Sequence, residues 1–407
     1  MAPKGSVVDL FCGAGGFSLG AALTGFDILG SIDLDETLTS SYRTNFPSAN
    51  LIHADISAIE PSAIAMKIAG GRRVDVVVGG PPCQGFSHIG ARQTLDARNQ
   101  LLVHFFRQVA GLSPRCFVME NVPGLLDGPG RGLLEDGIAL LNSRYKIVGP
   151  FIVDAANFGA ATRRRRVLVV GYDPADVDPI SEEMLRSCGT RSATTVKDAI
   201  RDLPEPRSDL DKNDLGWWKF DGRHRRLSEY ARWARTAPIE GLGDAIAKER
   251  LRAGLVSGLH DTTHTPNVQA RFAATRTGGE DPVSRYPRLE WEGQSRTLRA
   301  GTGSERGAFQ SMRPIHPEKA RVISVREGAR LQGFPDWFVF HRTKWHSFRM
   351  IGNSVSPVLS RAIFSYLSER LGVLGAKSAE SSSAGPPQRE TKASPTKGIE
   401  SCLEATG

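Results

Sequence analysis

The sequence has no run of 18 or more apolar residues, which excludes an ordinary transmembrane helix. Its start, Met1-Ala2-Pro3-Lys4-Gly5, leads straight into an apolar segment and lacks a secretory h-region with a small-residue cleavage site. Cysteine is sparse: Cys12, Cys83, Cys116, Cys188 and Cys402 are scattered, with no Cys-x-x-Cys pair and no even-numbered framework. That argues against a disulfide scaffold and for a reducing cytoplasm, where a special cysteine reacts rather than staples. No Gly-Lys-Ser/Thr ending marks a P-loop, so nothing demands a phosphate. His260 and His264 have an i, i+4 spacing, but His-Asp-Thr-Thr-His lacks the Glu of a zinc protease motif, and no metal is expected. Neither sign of charge dominates: 52 basic residues against 44 acidic ones leave +8, a mild bias toward polyanionic partners.

What is present is an ordinary globular composition, 40% hydrophobic and 24% charged, over 407 residues. At roughly 150 residues per domain that length suggests two or three domains. Residues 6–172 alternate between strand and helix patterns, with strands expected at 6–11, 26–33, 50–54, 74–79, 116–122, 146–153 and 166–172. The near-continuous apolar runs Val76-Val77-Val78 and Phe117-Val118-Met119 suit strands buried on both faces. Between them, Asn99–Ala110 carries Leu101, Leu102, Phe105, Phe106 and Val109 on one helical face. This alternation implies an α/β fold with a doubly wound, mostly parallel sheet. The expected division is a catalytic and cofactor-binding domain over 1–172, a second, irregular domain over 173–320, and a return to the first over 321–373. The middle stretch is rich in Pro, Gly, Arg and Asp and holds Trp217, Trp218, Trp233 and Trp291. Helical pattern resumes at 324–332 and 355–371. The Ser/Pro/Lys/Glu-rich tail, 374–407, cannot bury a core and is expected to be disordered.

Four segments carry chemistry. Asp9-Leu10-Phe11-Cys12-Gly13-Ala14-Gly15-Gly16-Phe17-Ser18 has the strand, Gly turn and helix layout of a nucleotide site. Gly-x-Gly-x-x-Gly fails at Ser18, while Asp33, 20 residues after Gly13, stands where a carboxylate can meet ribose hydroxyls. This points to an adenosine-bearing ligand that need not carry a pyrophosphate; a plain tight turn has the same spelling. Gly79-Gly80-Pro81-Pro82-Cys83-Gln84-Gly85 follows a buried strand, and its prolines and glycines suit a nucleophile at Cys83 better than a core thiol. Glu120, after an apolar run, can be partly desolvated and so favour a proton-donating form, or it can simply be solvated. In Arg163-Arg164-Arg165-Arg166 alternate residues of an extended segment share a face, so Arg164 and Arg166 can point one way together; an ordinary solvated charge run reads the same.

Together these segments resemble the DNA (cytosine-5) methyltransferase family, over about 9–172 and 321–364. Asp9-Leu10-Phe11-Cys12-Gly13-Ala14-Gly15-Gly16 is similar to the family's S-adenosylmethionine loop, and the resemblance extends to Asp33, Asp55-Ile56, Asp96-Ala97-Arg98 and Leu101. Pro82-Cys83-Gln84, Glu120-Asn121-Val122, Arg326-Glu327 through Leu331-Gln332-Gly333-Phe334-Pro335 and Gly352-Asn353-Ser354-Val355 match in spelling and order. The family's Gln-x-Arg-x-Arg reads Thr162-Arg163-Arg164-Arg165-Arg166, with Thr162 in place of the glutamine. The resemblance implies S-adenosylmethionine as cofactor, held by Phe11, Gly13, Gly15, Gly16, Asp33, Asp55, Ile56, Leu101, Asn353 and Ser354. It implies Cys83 as nucleophile at cytosine C6 and Glu120 as proton donor at N3, with Arg164 and Arg166 beside them. It further implies a flipped-out base in double-stranded DNA, a recognition region between the two blocks, and a monomer in the cytoplasm, at most nucleoid-associated. A cognate restriction endonuclease fits the same picture. A related branch applies the same motifs to tRNA, and a catalytically idle DNA-binding homologue is the other alternative; the long middle region favours DNA, and the pairing of Cys83 with Glu120 favours an enzyme.

Overall fold

The computed structural model describes residues 4–68, 70–82, 100–189, 192–211, 214–222, 226–301 and 311–373. Cys83, Asp96, Ala97 and Arg98, and the tail from 374, lie outside the described residues. Seven strands form the sheet: β1 (Ser6–Leu10), β2 (Asp27–Asp33), β3 (Leu51–His53), β4 (Val76–Gly79), β5 (Cys116–Asn121), β6 (Lys146–Asp154) and β7 (Arg165–Tyr172). Their order is β3-β2-β1-β4-β5-β7-β6. The first five run parallel, and β7 is antiparallel to both neighbours. The mostly parallel α/β sheet expected from the sequence is therefore present. The crossover from β3 back across to β4 makes a switch point between β1 and β4, where ligands of such sheets gather.

Five helices accompany this half: α1 (Gly16–Leu23), α2 (Glu36–Asn45), α3 (Pro61–Lys67), α4 (Gln100–Leu112) and α5 (Pro129–Ala139). The middle region contributes short ones, α6 (Glu182–Ser187), α7 (Val196–Ile200), α8 (Glu229–Ala234), α9 (Ala245–Arg252) and α10 (Pro266–Ala274). A two-residue pair, β8 (Trp218–Lys219) with β9 (Leu255–Val256), lies among them. The last part supplies α11 (Val325–Gln332), α12 (Lys344–Asn353) and α13 (Pro357–Arg370).

Alternation along the central strands divides the core. Val7, Val76, Val78, Val118 and Val170 face α1 and α13, joining Phe17, Ile363, Phe364 and Leu367. Val8, Leu10, Val77, Phe117 and Val169 face the other way, onto Leu102, Phe105, Phe106 and Val109 of α4. The third large cluster joins Leu19 of α1 and Tyr42 and Phe46 of α2 to Val196 and Ile200 of α7 and to Leu331 and Phe334 beside α11. The middle region thus shares core with the half that carries the sheet. Its tryptophans pack: Trp217 is buried with Ala247 and Val339, and Arg207 lies 3.9 Å from the Trp218 ring centre.

Element edges differ from the sequence reading for local reasons. The second strand starts at Asp27 because the Phe26 ring turns inward onto Phe364, 4.9 Å away. The last helix starts at Pro357, whose fixed φ suits the first helical position. Helix α12 was not expected at all.

Candidate active site

Carboxyl ends of β1, β2, β4 and β5 open into one cavity of about 610 Å³. Its wall includes Phe11, Gly13, Gly16, Asp33, Asp55, Ile56, Leu101, Glu120, Arg164, Arg166, Asn353 and Ser354. Nearly every residue singled out above is thereby brought to one place. Gly15 is the exception: with φ +95° it forms the N-cap of α1, where a β-carbon would lie 2.5 Å from the Phe46 ring. Cys83 belongs to the residues not described, but Gly80, Pro81 and Pro82, which lead to it, line the cavity.

The cofactor side is built from the first turn. Gly13 takes φ +52° with open space at its missing β-carbon, and its N–H donates to Asp33 Oδ2 at 2.8 Å. The N–H of Asp35 donates to Asp33 Oδ1 at 2.9 Å. Burial nevertheless raises the Asp33 carboxyl above its ordinary range, with the backbone donors opposing. Asp55 accepts from Ser57 N–H at 2.9 Å, and that bond lowers its carboxyl. Gly16 permits the C-terminal return: a β-carbon there would stand 2.1 Å from the Val355 carbonyl oxygen.

The catalytic side is built on β5 and β7. Asn121 donates to the Pro81 carbonyl at 3.1 Å and so holds the start of the Pro-Pro-Cys loop. Glu120 is buried, and Arg166 Nε stands 2.8 Å from its Oε1. The burial of Glu120 comes with a charged partner. Arg164 and Arg166 are both buried while Arg163 and Arg165 are exposed, as strand alternation requires. Arg164 donates to the carbonyls of Gly352, at 2.9 Å, and Asn353, at 3.5 Å, tying β7 to the C-terminal return. Burial, with Arg166 beside it, pushes Arg164 down to about 9, still charged at neutral pH. Thr162 is buried and donates to the carbonyls of Ser295 and Arg296. In the glutamine's place it fastens the entry of β7 to the middle region.

The sequence reading assigned no role to Asp9, Asp35 or Arg349, which also line the cavity. Asp9 is fully buried; its Oδ2 accepts from Ser18 N–H and from Ser18 Oγ at 2.6 Å, while Oδ1 has no hydrogen-bond partner among the described residues. Burial pushes the Asp9 carboxyl up to about 7. A lone acid near the end of a buried strand was the available signal. Gly16-Phe17-Ser18-Leu19-Gly20 has the spelling of a nucleophile elbow, yet Ser18 is fully buried and spent on Asp9 and Tyr42, which excludes it. Among the described lining residues are five acids (Asp9, Asp33, Asp35, Asp55, Glu120) and three arginines, with Glu120 paired to Arg166 and Asp35 to Arg349. His260 Nε2 pairs with the Asp214 carbonyl and His264 Nε2 with Val322 N–H. Among the described residues no group of three or more metal-ligating side chains occurs, and no helix is long and apolar enough to cross a membrane.

Comparison with known proteins agrees with this geometry. The chain is 41% identical over 360 residues to the type II methyltransferase M.XorII of Xanthomonas oryzae pv. oryzae, covering 88% of this chain and 82% of that protein. It is 30% identical to the type II methyltransferase M.AgeI of Thalassovita gelatinovora, covering 88% and 97%. A prophage-encoded E. coli protein described as a DNA modification methyltransferase superposes with a TM-score of 0.79 at 37% identity, over 91% of this chain and all of that one. The S. pombe Dnmt2 methyltransferase shares the fold at 16% identity, with a TM-score of 0.57 over 91% of this chain and all of that one. A family model for C-5 cytosine-specific DNA methylase matches residues 5–369, and the chain belongs to that family of S-adenosylmethionine-dependent enzymes.

Proposed function

We propose that Cys83 attacks C6 of a flipped-out cytosine in double-stranded DNA while Glu120 delivers a proton to N3. The thiolate–C6 bond and the new N3–H turn C5 into an enamine carbon, nucleophilic enough to accept a methyl group. S-Adenosylmethionine supplies that group as an electrophilic methyl on a sulfonium. Loss of the C5 proton to solvent, return of the N3 proton to the Glu120 carboxylate and expulsion of the Cys83 thiolate then restore the aromatic ring. Arg166 holds the Glu120 carboxyl in register, and Arg164 keeps the C-terminal return against β7.

The observation that carries this reading is the single cavity joining the Glu120–Arg166 pair to Asp33 and Asp55. The donor set suits the cofactor. Asp33 and Asp55 place carboxylates in the cavity for hydroxyl and amine groups, and among the described residues the buried Asp9 Oδ1 has no hydrogen-bond partner. Asp33 would meet the ribose, and Asp55 with Ile56 and Leu101 the adenine. Phe11, Gly13 and Gly16 would form the floor, and Asn353 and Ser354 the wall from the C-terminal return.

Residues 173–320 would read the DNA sequence, with 1–172 and 321–373 carrying the chemistry and 374–407 a tail outside both. Relatives named as type II methyltransferases support a restriction-modification role. A cognate endonuclease acting on the same site, a cytoplasmic place and a monomeric state would complete that reading. DNA containing 5-fluorocytosine tests the reaction, because fluorine at C5 cannot leave as a proton. With S-adenosylmethionine the wild type should form a denaturation-resistant complex, Cys83→Ala none, and Glu120→Gln one about 10²–10⁴-fold more slowly. Equal trapping by Cys83→Ala would overturn the assignment.

A further inference from the structure

Helix α12 spans the two halves of the site. Near its middle, Arg349 Nη2 donates to Asp35 Oδ2 at 2.7 Å, across 314 positions of sequence, and both residues line the cavity. Asp35 is a junction. Its Oδ1 accepts from Leu38 N–H at 3.0 Å and caps α2, and its own N–H donates to Asp33 Oδ1 at 2.9 Å. Asp33 in turn receives Gly13 N–H at 2.8 Å. At the far end of α12 the Gly352 carbonyl accepts from Arg164 at 2.9 Å, two residues along the chain from the partner of Glu120.

We propose that Arg349 is a positioning residue: through Asp35 it fixes the loop that presents Asp33 to the cofactor, so that cofactor affinity depends on the C-terminal return. This rests on the reading of Asp33 as a cofactor ligand. The helix is stiff enough for the task. Phe348, Met350, Ile351 and Gly352 are buried, and a β-carbon at Gly352 would stand 2.5 Å from Ala300 N. An isolated ion pair with side chains 28% and 30% exposed contributes little by attraction alone. Here the guanidinium fixes one oxygen of a carboxylate whose other oxygen caps a helix, so it sets an orientation as well as a charge. It also offsets the Asp35 charge, which adds to burial in raising the Asp33 carboxyl.

Steady-state methylation of DNA by the full-length enzyme, with S-adenosylmethionine varied, tests this. Arg349→Met should raise KM for S-adenosylmethionine about three- to tenfold, with the larger effect on KM rather than kcat. Arg349→Lys should recover most of that loss. Asp35→Asn combined with Arg349→Met should be no worse than the more impaired single variant, because both remove one interaction. An Arg349→Met enzyme with unchanged KM, or with a fall in kcat alone, overturns the proposal; if that variant does not fold, Asp35→Asn carries the same test. Asp33→Ala separates the two readings. Should it leave KM unchanged, the cofactor assignment itself fails. Should it raise KM while Arg349→Met does not, only the role of Arg349 fails.

Discussion

Asp9→Asn is the perturbation with the clearest sign. The Asp9 carboxyl is fully buried and its acidity falls from the ordinary 3.8 to about 7, chiefly through desolvation. The folded protein therefore keeps a proton that the unfolded chain has already lost at intermediate pH. The stabilising contribution is complete below pH 3.8 and is lost as pH rises through about 7. Between those limits the slope is about 1.4 kcal/mol per pH unit, and the whole range amounts to about 4 kcal/mol as a ceiling, since relaxation around a buried acid reduces it. Asparagine keeps an acceptor for Ser18 and removes the titration. Urea unfolding of both proteins at pH 5, 6, 7 and 8 should show Asp9→Asn gaining on the wild type by up to about 1 kcal/mol per pH unit, then levelling above pH 7. A stability difference that is flat across the series would refute the desolvated carboxyl.

Gly16→Ala should lose about 1–3 kcal/mol of stability and weaken S-adenosylmethionine binding, because its β-carbon would press on the Val355 carbonyl, which being backbone cannot turn aside; thermal melting with and without cofactor reads both effects. Arg330→Met removes the guanidinium that donates to Asp336 at 2.6 and 2.7 Å and to Asp202 at 3.2 Å. It leaves the fully buried Asp336 carboxylate with Arg326, 4.0 Å away, and should cost about 3–5 kcal/mol, whereas replacing Arg330 and Asp336 together by apolar residues should cost less. Chemical denaturation of the single and double variants checks that ordering.

Much of the sheet was legible because local pattern and burial coincide there. A strand covered on both faces is apolar over most of its length, so Val76–Gly79 and the run Cys116-Phe117-Val118-Met119 stand out in the sequence. The turn at Gly13 and the cap of α11, where Ser324 and Glu327 exchange hydrogen bonds, also advertise themselves by residue type. The motif residues of the candidate site were legible by spelling and order. Their convergence on one cavity was implied by the rule that strand ends gather ligands.

Sequence alone thus determined the strand and helix alternation and the motifs that mark the candidate site, since both are written in short windows of chain. Only the tertiary structure decided which charges meet. Arg166 beside Glu120, Arg349 on Asp35 and Thr162 on the Ser295 carbonyl join segments from 46 to 314 positions apart, and no periodicity records such pairings. The placement of β7 between β5 and β6 belongs to the same class. Helix α12 shows why. Its first turn has no side-chain cap and its last residues are Gly352 and Asn353, poor helix formers, so burial of Phe348, Met350 and Ile351 makes it a helix where local preference does not.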